Sequence, residues 1–378
     1  MTKPCPVAVL CSDLHLDEYT WRDRPSLCGD SKHAFQQVVD FACKKNLPII
    51  AAGDLIDTKR NVAGPIGFLR RCMDQLEDAD CGFYYIQGQH ELQGSPWLGE
   101  IHRWPTWLHG RREDICGVQV GGIDWTPRDQ VAERLEAIPG DLNLLVMHQL
   151  VHEFIGGITT AELHLDQVPH VDLLLVGDYH QYRHEKATGK FGHEYEVLSI
   201  GATHMRSISE IPPHRFAVLF DDMSYKTVKL KNRPHMEEQL LMEESVDLFV
   251  EQIGGLLDCL IESSADKGVH ADLLKPTLRV KYHVEIENAY GRIAQAVGDK
   301  AHLFTKELLP SRDEEVREAD VAEDEISALG LAGCLPLACD EDEHPEVFTL
   351  CHRLLTSDAP LDVLATSREE FLEREKTG

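Results

Sequence analysis

Long apolar stretches are missing from this 378-residue chain: none of its hydrophobic runs approaches the roughly 20 residues needed to cross a bilayer. The opening Met1-Thr2-Lys3-Pro4-Cys5 passes almost at once into an apolar run, so no signal or transit segment is visible and a cytoplasmic protein is expected. Cys-x-x-Cys pairs are also absent among the eleven cysteines. That argues against a disulfide framework and for reduced thiols acting as small hydrophobes, as at Cys11 and Cys43 in expected cores. Cys334, Cys339, His344, Cys351 and His352 gather near the C-terminus but fit no common zinc spacing.

Positive charge is scarce. Lys and Arg number 37 against 65 Asp and Glu, a formal charge of −28. Residues 310–378 alone hold 6 basic and 19 acidic residues, which is −13 of that total. Binding that relies on non-specific phosphate contacts calls for a basic surface. A nucleic-acid role for this chain would need a local basic patch, bound metal ions or a partner subunit. Hydrophobic residues at 43% and charged residues at 27% are ordinary for a globular protein.

What the chain does have is a series of apolar runs, most of which end on residues that ligate metals. Val7–Leu10 leads to Asp13-Leu14-His15, and Leu47–Ala52 to Gly53-Asp54. Phe83–Ile86 leads to Gly88-Gln89-His90-Glu91, Leu142–Met147 to His148-Gln149, and Leu173–Val176 to Gly177-Asp178-Tyr179-His180. Buried parallel strands read as such runs, and α/β sheets collect ligands outside the strands' carboxyl ends. One sheet carrying all five segments would bring them to a single rim. Asp13 and His15 alternate, so both can reach one ion; Asp54 can bridge two; Gln89 offers an amide oxygen; His148 and His180 offer imidazoles. Oxygen and nitrogen donors of this kind suit Mn²⁺, Fe²⁺ or Zn²⁺, and two such ions suit hydrolysis. Each segment alone is weak: Gly-Asp is an ordinary turn, and most of the twenty histidines read as surface or structural. Among these His204, on a possible site loop, is the leading exception.

Alternation of strands and helical patterns over residues 7–230 predicts an α/β sandwich with mixed sheets. Expected helices run from a Ser31 cap to about Lys45, over 66–76 and over 128–138; later strands at 117–123, 194–200, 215–220 and 226–231 look closer to antiparallel. Pro234 ends this region. A long helix over about 236–263, a strand over 276–286, a helix over 288–297 and a last strand over 302–309 make a small α+β domain. Residues 311–328 read as an acidic helix.

The order of the five segments resembles that of the calcineurin-like metallophosphoesterases. Leu145-Val146-Met147-His148-Gln149 and the loop from Ser199 to Glu210 resemble, more narrowly, the SbcD-type nuclease subunits of double-strand-break repair complexes. Lys231-Asn232-Arg233-Pro234 and the strand at Lys275-Pro276 resemble that family's exit into a capping domain. The resemblance covers about residues 5–310. It implies a four-layer sandwich over 1–235, a DNA-orienting capping domain over 236–310, and an acidic extension over 311–378, a candidate partner-binding segment. It implies one ion on Asp13, His15, Asp54 and His180, a second on Asp54, Gln89, His148 and Asp178, and His90 as the acid that protonates the leaving oxygen. It further implies DNA as substrate, an SbcC-type ATPase as partner, and a homodimer within a heterotetramer, with no membrane. Gln89 stands where the family has Asn, Glu91 where it has Asp, and Asp178 where it has His. This oxygen-rich second shell leans toward Mn²⁺, with Mg²⁺ or Fe²⁺ as alternatives. Arg206 and Lys59, among several arginines on site-side loops, are candidates for a basic surface, and Trp97 for stacking on a base. Rival expectations are a phosphoesterase for small substrates and a weakly active scaffold for the ATPase.

Overall fold

The computed structural model describes residues 3–308 except 17–26, 28, 58–62, 92–96, 139, 141, 156–160, 209, 211, 242–244 and 284–285. In chain order its elements begin β1 (Pro6–Cys11), α1 (Asp30–Lys45), β2 (Ile49–Ala52), α2 (Ala63–Asp78), β3 (Phe83–Ile86), α3 (Trp97–Ile101) and β4 (Thr106–Trp107). They continue with β5 (Arg112–Ile115), β6 (Val118–Ile123), α4 (Arg128–Glu136), β7 (Leu144–His148), β8 (Leu173–Gly177), β9 (Arg183–Thr188), β10 (Glu194–Ser199), β11 (Arg215–Phe220) and β12 (Tyr225–Lys229). The last group is β13 (His235–Leu240), α5 (Val246–Asp266), β14 (Thr277–His283), α6 (Ala289–Val297) and β15 (His302–Leu308).

Two six-stranded sheets form the centre, ordered β12-β11-β1-β2-β3-β4 and β5-β6-β7-β8-β10-β9. Period-two alternation sorts their side chains into three cores. Val9, Cys11, Ile49 and Ala51 face α1 and α2, while Ala8, Leu10, Ile50 and Ala52 face the second sheet. Leu144, Val146, Leu173 and Leu175 meet them there; Leu145, Met147, Leu174 and Val176 point outward to Val131 and Leu135 of α4. The result is helix, sheet, sheet, helix: the mixed four-layer sandwich expected. The five ligand-bearing segments are divided, however, three following strands of the first sheet and two following strands of the second. A single-sheet rim is therefore corrected to a rim shared by two facing sheets.

Local differences have local causes. Helix α1 starts at Asp30 behind Gly29, whose φ of 95° supplies the turn, and Ser31 is buried inside the first turn and does not cap it. Its face of Phe35, Val38, Val39 and Ala42 is buried as the spacing predicts, at about 1.5–3 kcal/mol for each large side chain. Helix α2 begins three residues earlier than expected, because a proline in the first turn (Pro65) forfeits an N–H that would lack a partner anyway. β11 and β12 pair antiparallel as expected, and β6 and β10 are antiparallel to β5 and β9 on one side but parallel to β7 and β8 on the other.

The segment after Pro234 opens with a strand, β13, where a helix from Met236 was expected; the helix α5 starts ten residues later. His235–Leu240 pairs in parallel with β14, and β14 with β15, giving a three-stranded sheet. Leu240, Phe249, Ile253, Leu257, Leu278, Val280 and Ile293 form a core of its own. Arg233 ties this unit to α1. Its guanidinium donates twice to Asp30 (2.7 and 2.8 Å) and once to the Lys275 carbonyl (2.6 Å).

Candidate metal centre

Each strand end is followed by a tight turn that carries a ligand-type residue. Asp13, His15, Asp54 and Asp178 all have positive φ (51°, 39°, 49° and 74°). Non-glycine residues adopt such angles rarely, and they concentrate where a site over-determines the backbone. Backbone bonds lock the turns together: Asp13 N–H donates to Gly53 O (3.2 Å), and His15 N–H to Asp54 O (2.8 Å). Gly88 is required by close approach, since a Cβ there would collide with Asp54 Oδ1. Glu91, fully buried, gathers three backbone N–H groups: Gly88 (2.6 Å) and Asp54 (3.0 Å) on Oε2, and Ile56 (2.9 Å) on Oε1. Burial, reinforced by the Asp54 charge, pushes its carboxyl up to about 8.

The donors converge. His15 Nε2 is 3.1 Å from His180 Nε2, 3.6 Å from Asp54 Oδ2 and 3.8 Å from Asp13 Oδ1; His180 Nε2 is 3.9 Å from Asp13 Oδ1. Ligands about 2.1 Å from one ion stand roughly 3.0–3.4 Å apart in octahedral or tetrahedral geometry. Asp13, His15 and His180 form one such group and need little contraction to meet that, while Asp54 approaches it through His15. Two unprotonated imidazole nitrogens at 3.1 Å tolerate each other only with a cation or a proton between them. A second group is formed by Asp13, Asp54 and His148, with His148 Nε2 3.4 Å from Asp54 Oδ2. Asp54 Oδ2 and His148 Nε2 are buried facing each other with no further hydrogen-bond partner, an arrangement that a proton on His148 or a cation between them satisfies. The residues therefore fit divalent ions.

Outer contacts aim the imidazoles. His148 Nδ1–H donates to Ala52 O (2.7 Å) and His180 Nδ1–H to Glu210 Oε1 (2.9 Å); carbonyl and carboxylate oxygens only accept, so each Nε2 is turned toward the donors. His90 Nδ1–H likewise donates to Asp57 O (2.5 Å), leaving Nε2 3.8 Å from Asp54 Oδ2. Burial, then Arg206 and the neighbouring imidazoles, hold His15 well below its usual pKa, so it is a neutral donor. Burial opposes charge on His148 too, but Asp54, Asp13 and Asp178 outweigh it and raise His148 well above the ordinary value. Burial works against Asp54 in the same way, and His148 nonetheless lowers its carboxyl.

No protein-family model matches the chain. It is 24% identical over 318 residues to a DNA double-strand break repair protein Mre11 of Methanosarcina acetivorans, covering 79% of this chain and 48% of that protein. The fold and the site agree with the resemblance to the calcineurin-like metallophosphoesterases. The chain spans about half the length of the curated relative it matches.

Asp13, His15, Asp54, His148, His180 and His90 meet at one rim. Gln89 and Asp178 meet each other: Gln89 Nε2 donates to Asp178 Oδ1 at 2.8 Å, so two of the three departures from the family pattern form a matched pair. Arg206 reaches the centre, with Nη1 3.2 Å from His15 Nε2 and Nη2 on Asp57 Oδ1. Trp97 packs against the core between the first sheet and its helices, a placement in packing and not on an open stacking face. Trp104 packs there too, and its indole N–H is spent on Cys81 O (2.7 Å). Lys59 lies outside the described residues, as do Trp21, Arg22, Arg24, Arg60 and the C-terminal Cys/His cluster. Among the remaining candidate arginines, Arg103 pairs with Glu77, Arg112 with Gln119, and Arg215 covers the Tyr182 ring. His204 is buried beside this centre and held neutral by its burial. Asp57 and Glu210 were missed by sequence reading. Glu210 lies within the recognised loop, but nothing in its local pattern marks it as the partner of His180.

Proposed function

We propose that this chain is a metal-dependent phosphodiesterase that cleaves DNA, acting as the nuclease subunit of a complex with an SbcC-type ATPase. The observation that carries it is the convergence of Asp13, His15 and His180 at ion-binding separations, with Asp54 3.6 Å from His15. Asp13, His15, Asp54 and His180 would hold one ion; Asp54, His148, Gln89 and Asp178, with Asp13 close by, would hold the second. Bound there, divalent ions supply Lewis-acid activation of the attacking water and neutralise charge on the phosphodiester. An oxygen-rich second shell favours Mn²⁺ over Zn²⁺.

The chain's own groups do the rest. Asp57 O fixes the His90 ring by its Nδ1, so Nε2 is the atom that carries the proton to the leaving oxygen. Glu210 keeps His180 oriented, and Glu91 holds the turns of Asp54 and Gly88 in register. The unit from His235 to about residue 310 would orient DNA, residues 311–378 would dock a partner, and two copies would pair within a heterotetramer. Asp54→Asn is the test: it removes the shared carboxylate, and Mn²⁺-dependent DNA cleavage should disappear. Cleavage that persists in the variant, after removal of contaminants, sinks the proposal. The −28 charge favours a second reading, a phosphodiesterase for small substrates. A chromogenic phosphodiester hydrolysed while DNA is left intact would select it.

A further inference from the structure

We propose that Arg206 is an internal cation that guards the first metal site, so that an ion enters only as this side chain withdraws. The inference rests on the metallophosphoesterase reading above and assigns its site a built-in control of metal loading. Arg206 Nη1 lies 3.2 Å from His15 Nε2 and 3.5 Å from His180 Nε2, the two nitrogens that converge for the first ion. An imidazole nitrogen has one in-plane lone pair. When His15 Nε2 accepts the Arg206 N–H, that lone pair is no longer free to ligate an ion. The guanidinium is charged at every accessible pH, so it also repels an incoming dication at close range.

The surroundings suit a side chain that moves while its backbone stays. Arg206 N–H donates to Glu210 Oε2 (2.8 Å), and Glu210 N–H to Ser207 O (3.0 Å), which anchors the loop. Through its other oxygen the same Glu210 holds His180. Beyond the anchor, Nη2 rests on Asp57 Oδ1, near the open side of the site. Arg206 Nε is buried without a partner. Asp57 gives the guanidinium a pivot: Nη2 can keep its carboxylate while Nη1 leaves His15.

Calorimetric titration of Mn²⁺ into the full, chelator-stripped chain tests this, comparing wild type with Arg206→Met, which keeps length and packing, and Arg206→Gln as a second substitution. Removal of the competitor should tighten the first ion by about tenfold or more in both variants, since 1.4 kcal/mol is one decade. The rise in thermal midpoint on adding saturating Mn²⁺ should grow accordingly. Unchanged or weaker Mn²⁺ binding in the folded variants would overturn the guard and leave Arg206 a support for the ligand shell. Absence of Mn²⁺ binding in wild type and variants alike would overturn the metal reading itself, a distinct failure.

Discussion

Glu91 joins two turns of the metal rim through one carboxylate, and its replacement gives a graded prediction. In Glu91→Gln the amide oxygen can take the place of Oε2 and keep the Gly88 and Asp54 N–H groups. The amide nitrogen then faces Ile56 N–H, donor against donor. One buried donor without an acceptor costs about 1–3 kcal/mol. Glu91→Ala strands all three, for about 3–6 kcal/mol once entering water is allowed for, a large share of the roughly 5–15 kcal/mol that holds a domain together. The pH dependence sharpens the test. The folded carboxyl titrates at about 8 against an ordinary 4.5, because burial and Asp54 disfavour its charge. A raised folded value means that the group's contribution is complete below pH 4.5 and is lost as pH rises toward 8. Glutamine has no such slope, so the gap between wild type and Glu91→Gln should be widest near pH 5 and narrow toward pH 8. Urea unfolding of the chelator-treated proteins across that range measures it. A Gln variant as stable as wild type at pH 5, or a gap that does not change with pH, refutes the reasoning.

Arg233→Ala should weaken the join between α1 and the C-terminal sheet by about 2–4 kcal/mol, because it leaves Asp30 without its bidentate, largely buried partner. Limited proteolysis under native conditions should then cut the unit after Pro234 faster, and equal rates would contradict the tie. The thiols divide by environment: Cys5, Cys116 and Cys259 are exposed, whereas Cys11 and Cys72 are buried, with burial pushing the Cys72 thiol up to about 12. At pH 8 the exposed three should alkylate within minutes and the buried two only on unfolding, as peptide mass mapping would show. Labelling of Cys72 at the rate of Cys259 would contradict the packing.

Much of the fold was legible because β1, β2, β3, β7 and β8 are continuous apolar runs, which buried parallel strands require, and because glycines and carboxylates follow them at once. The helix face of Phe35, Val38 and Val39 was equally plain. Other features leave no local trace. The split of the five segments between two sheets depends on which strands pair, and runs buried on both faces do not reveal that. His235–Leu240 alternates poorly and precedes a true helix, so its strand character comes from pairing with β14. At the site, Asp13, His15, Asp54, His148 and His180 are ligand types at strand ends. The Gln89–Asp178 bond, the grip of Glu91 on the Asp54 and Ile56 N–H groups and the reach of Arg206 to His15 join residues 35 to 191 positions apart. Such contacts exist only after the sheets have packed.

The most direct test of a metal-dependent DNA phosphodiesterase is Mn²⁺-dependent degradation of end-labelled linear duplex and single-stranded DNA. Wild type is run beside His90→Ala, with Mn²⁺ binding followed on the same samples. The predicted result is cleavage by wild type and its loss in His90→Ala while Mn²⁺ binding is retained, which separates the proton donor from the ligands. Cleavage undiminished in His90→Ala, or wild-type protein that binds Mn²⁺ and leaves both DNAs intact, would contradict the account.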